Sequence, residues 1–162
     1  MTEKLSSNVS RTIQTKLVLP PDTNHLGSIF GGKVLAYIDE IAAIAAMKHS
    51  KRAVVTASID IVNFLSSAKV GDILLLEGIV ISTGRTSMEV YVKVQSEEIH
   101  TGQKKLTTTS ILTMVAIGDD GKPTPVPGVV PETDEEHEML TYAAERRERR
   151  IQMTKLSGSE KG

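Results

Sequence analysis

One helix-like stretch, residues 34–47, is strongly apolar and carries two acidic residues at its centre. It reads Val-Leu-Ala-Tyr-Ile-Asp-Glu-Ile-Ala-Ala-Ile-Ala-Ala-Met, so Asp39 and Glu40 interrupt an otherwise apolar run. A helix of this composition favours burial, and burying an unpaired carboxylate costs several kcal/mol. A carboxylate that is kept at such a cost is a candidate for chemistry, which makes Asp39 the first site residue to consider.

Size and composition indicate one ordinary globular domain. The chain has 162 residues and a formal net charge of −1, which gives no bulk attraction to nucleic acid or to an anionic membrane. It has no cysteine, so a disulfide, a thiolate nucleophile and a cysteine-ligated metal site are excluded. The N-terminus has no apolar signal core, and no apolar run reaches the roughly 18 residues of a membrane span. We therefore expect a cytoplasmic protein with no nucleic-acid or membrane partner.

The pattern along the chain predicts a strand, one long helix and then a series of antiparallel strands. The first strand is expected at residues 11–19 and the helix at 33–50, after a turn-rich loop. β-branched and alternating residues predict the later strands, at residues 53–64, 73–82, 88–94 and 104–117. The alternation around Glu89 predicts a half-buried strand with that side chain facing solvent. A helix covered by an antiparallel sheet is an α+β architecture.

The C-terminal region is predicted to be a helical extension of the domain. Thr133 and Glu136 have capping-box spacing before a helix at about residues 134–153. We expect a single domain at residues 1–131, a helical extension at 132–156 and a disordered tail at 157–162. The basic cluster of this helix is expected on its exposed face, paired with Glu145 and Glu148. Its members are Arg146, Arg147, Arg149 and Arg150.

Three motifs together resemble a known family. They are Asp-Thr-Asn-His-Leu-Gly-Ser-Ile-Phe-Gly-Gly at residues 22–32 followed by Asp39, Asn-Phe at 63–64, and Gly-Arg-Thr-Ser at 84–87. This combination resembles the hotdog-fold acyl-CoA thioesterases, being similar to bacterial acyl-CoA hydrolases and to the hotdog domains of cytosolic acyl-CoA hydrolases. The resemblance covers about residues 12–117. It implies a hotdog fold, in which a curved antiparallel sheet wraps one long central helix, and it leaves the C-terminal helix unexplained.

The resemblance also implies an activity and an assembly. The expected reaction is hydrolysis of acyl-CoA to a free carboxylic acid and coenzyme A, within lipid and fatty-acid metabolism and without a metal or redox cofactor. Asp39 is expected to be the nucleophile or the general base, and both roles stay open. The expected minimal unit is a homodimer whose sheets join edge to edge, assembled further into a hexameric trimer of dimers.

Two further residues are expected in the chemistry. Asn24 is predicted to position water or substrate, since its amide offers both a donor and an acceptor. The Gly32 amide is predicted to polarise the thioester carbonyl, because it lies at the positive end of the helix. Gly32 and Asp39 share a helix face but are about two turns, or roughly 10 Å, apart. One thioester cannot reach both, so the site is expected to be shared between two subunits.

The remaining site residues are predicted to bind substrate. Arg85 is expected to meet coenzyme A phosphates through charged hydrogen bonds. The full set expected to line the coenzyme A path comprises His25, Phe30, Gly31, Asn63, Phe64, Arg85, Thr86 and Ser87. The other histidines are interpreted as surface residues, and they are His49, His100 and His137. No metal-binding cluster is visible in the sequence.

Three alternatives were compared with the thioesterase hypothesis. A non-catalytic acyl-CoA-binding sensor of the same fold would use the same pocket, but such a sensor usually carries a DNA-binding segment, and none is visible. A hotdog dehydratase would want a histidine on the helix, where Asp39 stands. The third alternative is a nucleotide triphosphatase, because residues 27–33 have the spacing of a phosphate-binding loop. Val34 stands where that motif requires Ser or Thr, which argues against it.

Overall fold

A five-stranded antiparallel sheet covers one long helix in the computed structural model, which describes residues 3–159. The elements in chain order are β1 (Lys4–Ser6), β2 (Thr12–Leu17), α1 (Gly31–Ser50), β3 (Ala53–Phe64), β4 (Ile73–Thr83), β5 (Ser87–Glu97), β6 (Lys104–Ile117), β7 (Gly128–Val130), α2 (Asp134–Thr141) and α3 (Ala143–Ser159). The strand order in the main sheet is β2-β4-β5-β6-β3, and β1 pairs with β7 in a separate parallel pair. The predicted α+β hotdog architecture is confirmed.

The core lies between α1 and the inner face of the sheet. The helix contacts every strand of that sheet, and its buried side chains include Ile38 and Ile41. One glycine permits the close approach, because a Cβ atom at Gly78 of β4 would stand 3.3 Å from the backbone oxygen of Ile41. The alternating apolar residues of β5 and β6 complete this layer, as a period of two in a half-buried strand requires.

Two features of the molecule remain open in a single chain. One side of α1 is uncovered, with Gly32, Ala36 and Glu40 exposed and Asp39 only half-buried. The burial that the composition of this helix favours is therefore incomplete in one chain. The second open feature is β3, an edge strand that pairs with β6 on one side only. Three of its large apolar side chains are exposed, namely Val55 at 51%, Ile59 and Phe64.

The C-terminal extension forms two helices where the sequence predicted one. The chain leaves the α conformation at Tyr142, whose N–H donates to the carbonyl of Leu140, and α3 starts at the next residue. The second helix then continues to Ser159. Residues 157–159, predicted as part of a disordered tail, are thus helical, while residues 160–162 of that tail lie outside the described part of the chain.

Two members of the basic cluster of α3, Arg146 and Arg150, do not lie on the exposed, locally paired surface that the sequence predicted, whereas Arg147 and Arg149 are exposed. Arg146 is buried and donates two hydrogen bonds of 2.8 Å to Glu89. Arg150 donates to the same carboxylate at 2.8 Å. Glu89 is 3% exposed, so its predicted position facing solvent was wrong. The period of two correctly put Glu89 on the outer face of the sheet, but α3 covers that face.

One buried carboxylate, Glu136, ties α2 to the N-terminal segment. Half of the predicted capping box is present, since the Glu136 amide donates to Thr133 Oγ1 at 3.1 Å, but the Glu136 carboxylate accepts from the amide of Glu132 instead of that of Thr133. The Glu136 carboxylate accepts from Arg11 Nη2 at 2.8 Å and also from the hydroxyl of Ser7. Burial by itself raises the pKa of Glu136, but the hydrogen bonds from Ser7, Thr133, Arg11 and the Glu132 amide outweigh it and lower the pKa to about 2.

The end of α1 is covered by the proline-rich segment that follows β6. His49 is fully buried there, with Nε2 2.8 Å from the carbonyl oxygen of Pro127, so its predicted surface position was wrong. His100 and His137 are exposed, as predicted. Within residues 3–159, none of the helices has the length and apolar character needed to cross a membrane.

Candidate active site

Asp39 lies midway along the open side of α1, and one of its carboxylate oxygens is held by the neighbouring edge strand. The hydroxyl of Thr56 on β3 donates to Asp39 Oδ1 at 2.6 Å. Asp39 Oδ2 has no hydrogen-bond partner among the described residues. One oxygen is therefore fixed while the other is available to a ligand, and this suits a carboxylate that attacks a carbon or accepts a proton.

Asn24 is held by its own loop through its side-chain oxygen. Asn24 Oδ1 accepts from the amide of Leu26 at 2.9 Å and from the amide of Ser28 at 3.2 Å. This is the local hydrogen bonding expected of an asparagine in a turn. The loop also folds back on itself, since the Phe30 amide donates to the Asp22 carbonyl at 3.0 Å. Asn24 therefore lies close to the start of α1 with its amide nitrogen as the group left for a ligand.

The start of α1 presents two free backbone donors. The residue before the helix, Phe30, makes no side-chain cap, and its carbonyl accepts from Lys33 and Val34. Within the described chain, no group accepts from the amides of Gly31 or Gly32. The first amides of a helix lie at its positive end and bind anions or oxyanions. This end of α1 therefore has the groups of an oxyanion site.

The two glycines differ in what surrounds them. A Cβ atom at Gly31 would stand 3.3 Å from the ring of Phe64, which packs over the helix start, whereas nothing lies within 4 Å of such an atom at Gly32. The structure therefore brings Phe64 to the predicted oxyanion donors and leaves the space at Gly32 open. Asn63 is exposed beside Phe64 at the end of β3, and His25 and Phe30 are exposed in the loop before α1.

The turn that contains Arg85, Thr86 and Ser87 lies far from this cluster within one chain. Ser87 is opposite Val115 on β6, whereas Phe64 is opposite Thr108 of the same strand. Seven residues of an extended strand separate these positions, which is about 23 Å. The side chain of Arg85 is exposed and makes no hydrogen bond or ion pair with the described residues. One chain alone does not join the predicted phosphate-binding turn to the end of β3 that carries Asn63 and Phe64.

Comparison with known proteins identifies the class. The model of the thioesterase superfamily matches residues 26–103. The uncharacterized acyl-CoA thioester hydrolase YkhA of Bacillus subtilis is 47% identical over 137 residues, covering 85% of this chain and 80% of the relative. The cytosolic acyl coenzyme A thioester hydrolase of Rattus norvegicus is 37% identical over 122 residues, covering 74% of this chain and 32% of the rat protein.

Solved structures agree with these relatives. An apo-hexameric acyl-CoA thioesterase is 62% identical with a TM-score of 0.91, covering 94% of this chain and 97% of that chain. The acyl-CoA hydrolase of Staphylococcus aureus, in complex with butyryl coenzyme A, coenzyme A and coenzyme A disulfide, is 43% identical with a TM-score of 0.92. That match covers 97% of this chain and 96% of the other. The chain therefore belongs to the thioesterase superfamily, and within it to the acyl-CoA thioester hydrolases, which confirms the resemblance drawn from the three motifs.

Proposed function

We propose that this chain hydrolyses acyl-CoA to a carboxylic acid and coenzyme A, and that Asp39 is the catalytic carboxylate. The observation that carries the assignment of Asp39 is its asymmetric environment. Thr56 holds Oδ1 at 2.6 Å, and Oδ2 is left unpaired by the described residues on the open side of α1. The names of the relatives and the butyryl coenzyme A bound to the S. aureus hydrolase support the substrate class.

Asp39 either attacks the thioester carbonyl carbon directly or activates a water molecule that attacks it. In the direct route Oδ2 bonds to the carbonyl carbon, the carbon–sulfur bond breaks, and water then hydrolyses the mixed anhydride. In the other route Oδ2 takes a proton from the attacking water. Coenzyme A leaves as a stable thiolate in both routes, so no strong general acid is needed. The reaction requires no metal or redox cofactor.

The carbonyl oxygen becomes negative in both routes and needs donors. The Gly32 amide is the donor that we assign to it, because the space around Gly32 is open. The amide nitrogen of Asn24 is the second donor, since its side-chain oxygen is already used by the loop. Asn24 therefore holds the substrate oxygen or the attacking water by donating a hydrogen bond.

In our proposal, Asp39 comes from one subunit, and the Gly32 and Asn24 donors come from the other. Gly32 and Asp39 are separated by about 10 Å along α1, which one thioester carbonyl cannot span. The free edge of β3 and the open side of α1 lie on the same side of the chain as Asp39, and an unpaired apolar edge is a template for pairing with another strand. A homodimer joined at β3 is therefore the minimal active unit. The hexameric thioesterase relative supports its further assembly as a trimer of dimers.

The coenzyme A path follows from the same dimer. Antiparallel pairing of β3 with its copy places opposite ends of the two sheets side by side. The turn at Arg85, Thr86 and Ser87 of one subunit then lies near Asn63 and Phe64 of the other. We assign the coenzyme A phosphates to Arg85 and place the enzyme in the cytoplasm, by extension from the cytosolic rat relative.

The test compares two neighbouring carboxylates of α1. Asp39→Asn keeps the shape of the side chain and removes its charge, and we expect kcat to fall roughly 10²–10⁴-fold while coenzyme A still binds. Glu40→Gln is the matched control, because Glu40 is exposed on the same helix turn, and its kcat should stay near wild type. Thiol release from acyl-CoAs of several chain lengths gives the rates, and calorimetry with coenzyme A gives the affinity.

Two results would overturn parts of the proposal. An Asp39→Asn variant with kcat within a few-fold of wild type would remove Asp39 from the chemistry. A wild-type protein that binds acyl-CoA in calorimetry but releases no thiol from any chain length would be an acyl-CoA-binding sensor instead of a hydrolase.

A further inference from the structure

The edge strand β3 changes faces between two of its polar residues. Thr56 is opposite Met114, a core residue beneath α1, whereas Ser58 is opposite Thr113 on the outer face. Residues two apart in a regular strand point to the same face. The extra residue between them, Ala57, forms a β-bulge that reverses the alternation. Thr56 stays on the core face beside Asp39, in regular alternation with Val54, and the bulge directly after it turns Ser58 outward.

A second bulge follows directly, and its extra residue is Asp60. Ile59 is opposite Leu112 and Ile61 is opposite Ile111, which leaves Asp60 without an opposite residue on β6. The Asp60 carboxylate is nevertheless fixed at both oxygens. Oδ1 accepts from Ser58 Oγ at 2.6 Å, and Oδ2 accepts from Thr113 Oγ1 at 2.7 Å. Asp60 therefore links the first bulge to the neighbouring strand.

This carboxylate belongs to a polar row that crosses the outer face of the sheet. Four members are neighbours on adjacent strands in the ladder, and they are Ser82, Glu89, Thr113 and Ser58. Helix α3 covers the row, and Arg150 Nη1 lies 2.8 Å from Glu89 and 3.7 Å from Asp60. Burial alone raises the pKa of Glu89, but the hydrogen bonds and charges of Arg146, Ser82 and Arg150 outweigh it and hold the pKa below its usual range. Glu89 is therefore ionised at neutral pH and paired with the arginines of α3.

We infer that Asp60 is a positioning residue for catalysis, which acts through the Ala57 bulge to hold the Thr56 hydroxyl against Asp39. Bulges next to active sites commonly re-aim a side chain, and here the bulge turns Ser58 toward Asp60 directly after Thr56, the residue that anchors Oδ1 of the proposed catalytic carboxylate. Loss of the Asp60 bonds lets the backbone at the bulge shift, and the adjacent Thr56 hydroxyl is then no longer held in place against Asp39. The inference rests on the proposed function of Asp39. It adds a residue on the outer face of the sheet, Asp60, to those that determine the catalytic rate.

The experiment measures kcat and KM by thiol release for Asp60→Ala. We expect kcat to fall by about tenfold and KM to change by less than about twofold, because a positioning residue alters the transition state without touching the substrate. Asp119→Ala is the matched control, since Asp119 is exposed after β6 and makes no hydrogen bond with the described residues. Its kcat should match wild type. Size-exclusion chromatography checks that both variants keep the wild-type assembly.

A double-mutant cycle separates positioning from a general structural effect. The Thr56→Val variant lacks the hydroxyl that Asp60 is inferred to hold in place. Adding Asp60→Ala to this variant should therefore lower its kcat by a further factor of less than about two. If Asp60→Ala lowers kcat by the same factor in wild type and in Thr56→Val, the inference is overturned. It is also overturned if Asp60→Ala alone has the kcat of wild type. Thr113→Val serves as the second perturbation if Asp60→Ala does not fold. It keeps the side-chain shape and should lower kcat about threefold, again only when Thr56 is present.

The parallel Asp39→Asn assay keeps the two proposals apart. A dead Asp39→Asn with an unaffected Asp60→Ala would refute the positioning role alone. An active Asp39→Asn would refute the catalytic role of Asp39, whatever the cycle between Asp60 and Thr56 gives.

Discussion

Removing Arg146 should destabilise the protein strongly, because it breaks a buried ion pair between α3 and the sheet. Glu89 is 3% exposed and Arg146 is 9% exposed, and two hydrogen bonds of 2.8 Å join them. Breaking a buried ion pair by removing one partner costs about 3–5 kcal/mol of folding free energy, since the remaining charge loses its partner and is shielded from solvent. Arg150 still donates to Glu89 at 2.8 Å, so we expect Arg146→Met to cost about 3 kcal/mol, at the lower end.

Thermal unfolding at a fixed protein concentration measures this cost, because assembly also contributes to stability. A chain of this length loses about 2–4 °C of Tm per kcal/mol, so Arg146→Met should lower Tm by roughly 6–12 °C. Arg149→Met is the control, since Arg149 is exposed on the same helix, and its shift should stay below about 2 °C. An Arg146→Met shift as small as that of Arg149→Met would refute the reasoning.

Three further predictions concern affinity, pH and packing. Arg85→Ala should raise KM for acyl-CoA at low salt, less so at high salt, and leave kcat unchanged; a fall confined to kcat would contradict the phosphate role. The free energy of unfolding measured in urea should decline as pH falls from about 4.5 to about 2. Glu136 has a pKa of about 2 in the folded protein and an ordinary pKa of 4.5 in the unfolded chain, so protons bind the unfolded chain preferentially over this range. Glu136→Gln should flatten this decline, and a curve identical to wild type would contradict it. Gly78→Ala should cost about 1–3 kcal/mol, since its methyl group would press on the Ile41 carbonyl, and an unchanged Tm would contradict this.

Local sequence patterns were enough to predict the long helix and the strands of the main sheet. The helix expected at residues 33–50 is Gly31–Ser50, and the strand expected at 53–64 is Ala53–Phe64. These features depend on apolar periodicity and turn residues within a short window, which the sequence displays directly. The loop that carries Asn24 likewise leads directly into α1, because both belong to one continuous motif at residues 22–32.

The contacts that decide the faces of the sheet could not be predicted in this way. Ser58 faces outward toward Asp60 only because the bulge at Ala57 reverses the alternation after Thr56, and a bulge is defined by the register with another strand. Alternation assigned Glu89 to the outer face but could not show that α3 would cover it. The pairing of Glu89 with Arg146 joins residues 57 positions apart, which no local pattern reveals.

The sharing of one active site between two subunits is tested by combining two inactive variants. Asp39→Asn and Asn24→Ala chains carrying different tags are co-expressed, and mixed assemblies are purified through both tags. In a mixed dimer one site receives both substitutions and the other receives neither, so about half of the wild-type activity should return. A mixed dimer with no more activity than its two parents would mean that Asn24 and Asp39 of the same chain act together, and the shared site would be wrong.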